Sequence, residues 1–89
     1  MTTHNDFTER EMELIRLLTE RYPERALDAR IVTVHTLEGG ESTTLRLTLD
    51  DTISTDFTRS RIADASQPVE ALAEEASGEM EMRGARIGP

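Results

Sequence analysis

The sequence predicts a small α+β domain: a helix, an antiparallel β-hairpin or three-stranded meander, and a second helix (αβββα-like). Three observations carry this. An apolar stripe at helical spacing follows a Thr-x-x-Glu start at Thr8. Two alternating apolar and polar segments flank Gly39-Gly40, and an Ala-rich amphipathic segment follows Pro68. At 89 residues the chain makes one domain. The expected divisions are an N-terminal arm (1–7), a folded core (8–78) and a polar tail (79–89).

The first helix is the clearest element. Thr8 is placed as its N-cap and Glu11, three residues on, closes a capping box. Phe7 and Met12 occupy the two positions of a hydrophobic staple. Leu14, Ile15, Leu17, Leu18 and Tyr22 then mark one apolar stripe. Glu11 falls inside that stripe by angle. A side chain folded back over the cap need not enter the core, so capping accounts for it. Glu13–Arg16 and Arg16–Glu20 read as outer-face pairs, and Pro23 ends the run.

The hairpin follows, Ile31–Leu37 against Ser42–Leu49 around Gly39-Gly40. Leu45, Leu47 and Leu49 alternate with Thr44, Arg46 and Thr48, which gives one buried and one wet face. A tight turn at the two glycines places Val32 and Val34 on the buried face, with Thr33 and His35 outward. Asp50-Asp51 reads as a polar turn into a third strand over Thr52–Thr58, with Ile53 and Phe57 inward. A short helix through Phe57 and Ile62 is the rival reading. Pro68 opens the last helix, Val69, Leu72, Ala73 and Ala76 form its apolar face, and Gly78 is placed to stop it. In the tail, Met80 and Met82 alternate with glutamates, which suits an edge strand, a docking segment or a frayed end.

Composition excludes more than it assigns. There are ten arginines, eighteen carboxylates and no lysine, for a net charge of -8. Schiff-base chemistry and a phosphate-loop lysine are therefore absent from the repertoire, and a broad grip on nucleic acid is disfavoured. Without cysteine there is no disulfide or thiolate zinc site. Leu, Ile, Val and Phe together number 19 of 89 residues, a thin core that a homodimer or another partner could complete. No secretory signal and no apolar run of membrane-spanning length is visible, so a cytoplasmic protein with no membrane contact is expected. High arginine and glutamate usage also suits a GC-rich genome or a high-salt cytoplasm.

Helix, meander, helix is topologically similar to double-stranded-RNA-binding domains. That resemblance implies basic residues at the start of the second helix. Gln67, Pro68, Val69 and Glu70 stand there instead, so RNA binding by that route is not expected.

No catalytic pattern emerges. His35 lies in a strand with no second ligand or nucleophile beside it, and His4 reads as an incidental N-terminal histidine. Asp50 and Asp51 are turn residues rather than a metal or acid/base pair. No cofactor, metal or enzymatic activity is expected.

The surface carries the functional reading. Glu70, Glu74, Glu75, Glu79 and Glu81 form an acidic run, supported by Glu9, Glu13, Glu20 and Glu24. One role for such a run is solvation. The other is docking on a protein partner with a basic surface, without direct nucleic-acid binding. Small phage inhibitors that occupy a basic nucleic-acid groove, anti-CRISPR proteins among them, are similar in size, acidity and lack of catalytic motifs. The alternative is a structural or oligomeric module of a halophilic or GC-rich organism. Arg59, Arg61, Arg83 and Arg86 are expected to pair with carboxylates.

Overall fold

Thr8 starts the first helix as its sequence requires. In the computed structural model, which describes residues 7–84, the Thr8 hydroxyl accepts the Glu11 N–H at 3.2 Å and Glu11 Oε1 accepts the Thr8 N–H at 2.9 Å. The element order is α1 (Glu9–Arg21), β1 (Leu27–His35), β2 (Glu41–Leu49), β3 (Ile53–Thr58), α2 (Arg59–Ala63) and α3 (Val69–Met82). The strands form one antiparallel sheet in the order β1-β2-β3, so the α+β reading holds. Most of the N-terminal arm with His4, and the end of the tail with Arg86, lie outside the described residues.

The helices cover one face of this sheet. α1 packs beside α3, α1 over β1 and α3 over β3. Between the layers lie Leu14, Leu18 and Tyr22 of α1, Leu45, Leu47 and Leu49 of β2, Phe57 and Ile62. Val69, Leu72, Ala73, Ala76 and Met80 of α3 complete the core. Each fully buried leucine contributes roughly 1.5–3 kcal/mol, so the central strand is the main contributor from the sheet. Of the staple pair, Phe7 packs against the core while Met12 stays 52% exposed.

Glu11 departs from the sequence reading. Its side chain enters the interior, 1% exposed, because a partner arrives from 48 residues away. Arg59 donates from Nε to Glu11 Oε2 at 2.7 Å and from Nη2 to Oε1 at 2.9 Å. Capping alone would not have justified burial; the guanidinium fork does. Next to it, Arg10 donates to the carbonyls of Ile62 (2.5 Å), Asp64 (3.1 Å) and Gln67 (2.5 Å). The first turn of α1 thus holds α2 and the loop that leads into α3.

Strand β1 faces the other way from expectation. Its partners are Ile31↔Leu45, Ala29↔Leu47 and Leu27↔Leu49, so Leu27, Ala29 and Ile31 share the helix-covered face. Val32 and Val34 lie on the open face with Thr44 and Ser42. The cause is the turn. A loop over 36–40, not two glycines, joins the strands, closed by Thr36 N–H to the Gly40 carbonyl at 2.8 Å and Gly40 N–H to Thr36 Oγ1 at 3.0 Å. Of the two glycines, Gly39 takes the positive φ (87°). Three extra loop residues shift the register by an odd number, which turns over every side chain of β1. The two-glycine turn would have set Arg30 opposite Leu49 on the core face, a charge buried among leucines.

Residues 50–66 hold both candidate readings in succession. β3 forms with Phe57 buried and Ile53 packed against the core, and the short α2 follows with Ile62 in the core. Asp50 and Asp51 make the turn between β2 and β3 with positive φ (54° and 60°), a region in which Asp is tolerated. The Asp50 carboxylate also accepts the Ala26 N–H at 2.9 Å and pairs with Arg25.

Gly78 does not end the last helix. α3 continues to Met82, and Met80 is fully buried in the core. Burying that methionine contributes roughly 2 kcal/mol, against about 1 kcal/mol lost to a helical glycine. Packing wins, and the edge-strand reading of the tail does not apply to Met80 and Met82. Gly78 has an ordinary φ, and a Cβ added there meets no atom within 4 Å. Gly78→Ala should therefore raise stability to urea by roughly 0.5–1 kcal/mol, and an unchanged or lower value would contradict this packing.

Candidate functional site

α3 carries five glutamates and no basic residue in its 14 positions. At roughly 100° per residue, Glu70, Glu74 and Glu81 fall within an arc of roughly 40°, whereas Glu75 and Glu79 lie on the opposite flank. The five expected site residues are therefore two groups and not one patch.

The second group is engaged inside the molecule. Arg61 donates from Nη1 to Glu75 Oε2 at 2.7 Å and from Nη2 to Oε1, while its guanidinium lies 5.2 Å from the centre of the Phe57 ring. Arg61 holds the Glu75 carboxyl below its ordinary value against a smaller upward push from burial. Glu79 accepts from Thr55 Oγ1 at 2.9 Å and from Arg83 Nη1 at 3.1 Å. These bonds tie α3 to α2 and β3, so Glu75 and Glu79 serve the fold.

The first group faces solvent. Glu70 and Glu81 are exposed and make no hydrogen bond or ion pair among the described residues. Glu74 is 74% exposed, and Arg21 Nη2 approaches it at 3.7 Å, a weak surface pairing. On the outer face of α1, Arg16 bridges Glu13 and Glu20, which leaves that triad one charge negative. The wheel count that separates the two groups was available from the sequence. It required the helix to run past Gly78.

On the sheet charge is compensated, while Glu9, Glu24, Glu38 and Asp51 are further exposed acids without an ion pair among the described residues. The open sheet face sets Arg30 opposite Arg46, and each guanidinium takes an aspartate: Arg30 with Asp28 at 2.7 Å, Arg46 with Asp56 through two bonds of 3.0 and 3.1 Å. A polar cleft beside β3 is lined by Arg46, Ser54, Thr55, Asp56, Glu79 and Arg83. Both of its arginines are already bonded to carboxylates. His35 sits exposed at the end of β1, its Nδ1 3.6 Å from Glu41. As expected, Arg59, Arg61 and Arg83 pair with carboxylates. Among the described residues no three histidine or carboxylate groups converge to hold a metal ion, and no helix is long and apolar enough to cross a membrane.

The chain matches no known protein family, no curated protein and no solved structure.

The paired carboxyls set the response to acid. Burial pushes the Glu11 carboxyl up most strongly of any single influence. The Arg59 fork, the Thr8 N–H and the Arg59 charge together outweigh it and hold the group below its ordinary 4.5. Asp50 is likewise held down, by the Ala26 N–H first and Arg25 second, and Asp64 by the Ser66 N–H and hydroxyl. Each folded value lies below the unfolded one, so this stability is complete above the unfolded value and lost as pH falls through the folded one. The urea midpoint should not fall between pH 7 and pH 5 and should drop below about pH 4.5. Loss of stability already between pH 7 and pH 5 would contradict the assignment.

Proposed function

We propose that this chain is a non-enzymatic protein-binding module that docks the Glu70–Glu74–Glu81 flank of α3 on a basic protein surface. The observation that carries this is an exposed acidic flank whose one nearby cation among the described residues is Arg21, 3.7 Å from Glu74. Glu70 and Glu74 are like charges one turn apart, and Glu81 stands in the last turn, at the negative end of the helix dipole. Each of these opposes helix stability by roughly a few tenths of a kcal/mol. The same helix has its other two glutamates bonded to arginines. Glu70 itself is favoured by the dipole in the first turn, so the cost falls on the Glu70–Glu74 pairing and on Glu81, which solubility alone does not require.

Charge density limits what the flank can imitate. Glu70 to Glu81 spans about 16 Å of helix, over which duplex DNA would present about ten charges. Three carboxylates suit a compact basic patch rather than a whole duplex footprint. Where that patch belongs to a nucleic-acid groove, docking would exclude the nucleic acid, which is inhibition of the anti-CRISPR or DNA-mimic kind.

A structural module whose acidity is environmental is the competing reading. In its halophilic form it predicts folding only at molar salt, whereas the arginine pairs described above favour folding at low salt. The direct test combines Glu70→Arg, Glu74→Arg and Glu81→Arg and compares capture of a partner from the native host with that of the parent chain, at two ionic strengths. Capture should fall at least about tenfold on reversal and also with salt, while circular dichroism shows the helix intact. Glu75→Gln should leave capture in place. A partner retained through the triple reversal, or indifferent to salt, would overturn the proposal.

A further inference from the structure

The long outer edge of the sheet is a second surface without a partner among the described residues. β1 pairs with β2 along all nine of its residues and has neither a bulge nor a proline. At the two ends of this ladder, Thr36 N–H bonds to the Gly40 carbonyl and Asp50 N–H bonds to the Ala26 carbonyl. Positions 26 and 36 thus face β2. The alternation of an antiparallel ladder then directs Asp28, Arg30, Val32 and Val34 toward β2 as well. It leaves the N–H and C=O groups of Leu27, Ala29, Ile31, Thr33 and His35 pointing away from the sheet, with no partner among the described residues.

Edges of this kind are normally blunted by charge, proline or a bulge. Here the two charged side chains of β1, Asp28 and Arg30, neutralise each other at 2.7 Å. The opposite edge differs: β3 has six residues and is bordered by the Arg46–Asp56 and Glu79–Arg83 pairs. A second observation lies beside the first. α1 is the helix over β1, and the flank of α1 opposite its Arg10 and Arg21 contacts carries Met12, 52% exposed, and the partly buried Ile15. Val34, on the open face of the same strand, is 37% exposed.

We propose that β1 is a self-association edge, pairing antiparallel with β1 of a second copy to form a continuous six-stranded sheet. A second copy fits because strand and helix flank are both self-complementary. The two-fold centred on Ile31 pairs all nine residues and sets Asp28 opposite Val34 and Arg30 opposite Val32, so no charge faces its own image. Such a two-fold runs perpendicular to the sheet and brings the helix layers to the same side, where the Met12–Ile15 flanks of the two copies meet. The acidic flank of α3 lies on the α1 side of that helix, where Glu74 approaches Arg21, so α1 stands between it and the two-fold.

Because the copies repel through their net charge of -8, added salt should strengthen this association. Salt should weaken docking through the α3 flank, so the two proposals fail independently. Sedimentation velocity over a concentration series should show a monomer–dimer equilibrium shifted toward dimer between low and molar salt. Thr33→Pro removes an N–H that β2 does not use, twice per dimer, and should weaken association at least about tenfold with the far-ultraviolet spectrum unchanged. Amide exchange on the unaltered chain gives the second readout. At high concentration Leu27, Ala29, Ile31 and Thr33 should become protected together, and on dilution they should exchange fast. A chain that stays monomeric at all concentrations and salts, or one whose odd-numbered β1 amides exchange fast within a dimer, would overturn the proposal.

Discussion

One buried carboxylate holds the architecture together. Glu11 is almost fully enclosed, and its oxygens receive the Thr8 N–H and both arms of the Arg59 fork. A lone buried carboxylate would neutralise itself or unfold its surroundings; three donors keep this one charged. Its neighbour Arg10 grips three carbonyls between α2 and α3. Two consecutive residues in the first turn of α1 thus fix where β3 ends and where α3 begins. The acidic flank is displayed on the helix that this clamp positions.

The absence of lysine acquires a structural meaning. Arg10, Arg46, Arg59 and Arg61 each engage two or more acceptors, which a planar fork does at little entropic cost and an ammonium does poorly. In a domain with a thin core these forks fasten elements that apolar contact secures weakly. Tyr22 shows the opposite case. Its buried hydroxyl has no hydrogen-bond partner among the described residues, so there the ring contributes apolar area while the oxygen subtracts from it.

Local rules were legible in the sequence where a local interaction decides the outcome. The capping box at Thr8, the alternation of Leu45, Leu47 and Leu49, and the turn at Asp50-Asp51 depend on residues a few positions apart. Three features depended on distant residues and were not. The face of β1 followed from Thr36 closing a longer loop than the two glycines suggested. Gly78 stayed helical because Met80 found the core. Glu11 went inside because Arg59 reached it across 48 positions. For the candidate site, the five glutamates and their angular division were within reach of the sequence once the helix runs past Gly78, but that Glu75 and Glu79 are bonded needed Arg61, Arg83 and Thr55 in place.

The dependence of the fold on the Glu11–Arg59 contact can be measured by a double-mutant cycle in urea, using Glu11→Gln, Arg59→Met and the combined variant. A buried, bidentate pair should give a coupling energy of about 2–3 kcal/mol, with the double variant far more stable than the sum of the single losses allows. A coupling near zero would show that the two side chains act independently, and that α1 is not anchored through this carboxylate.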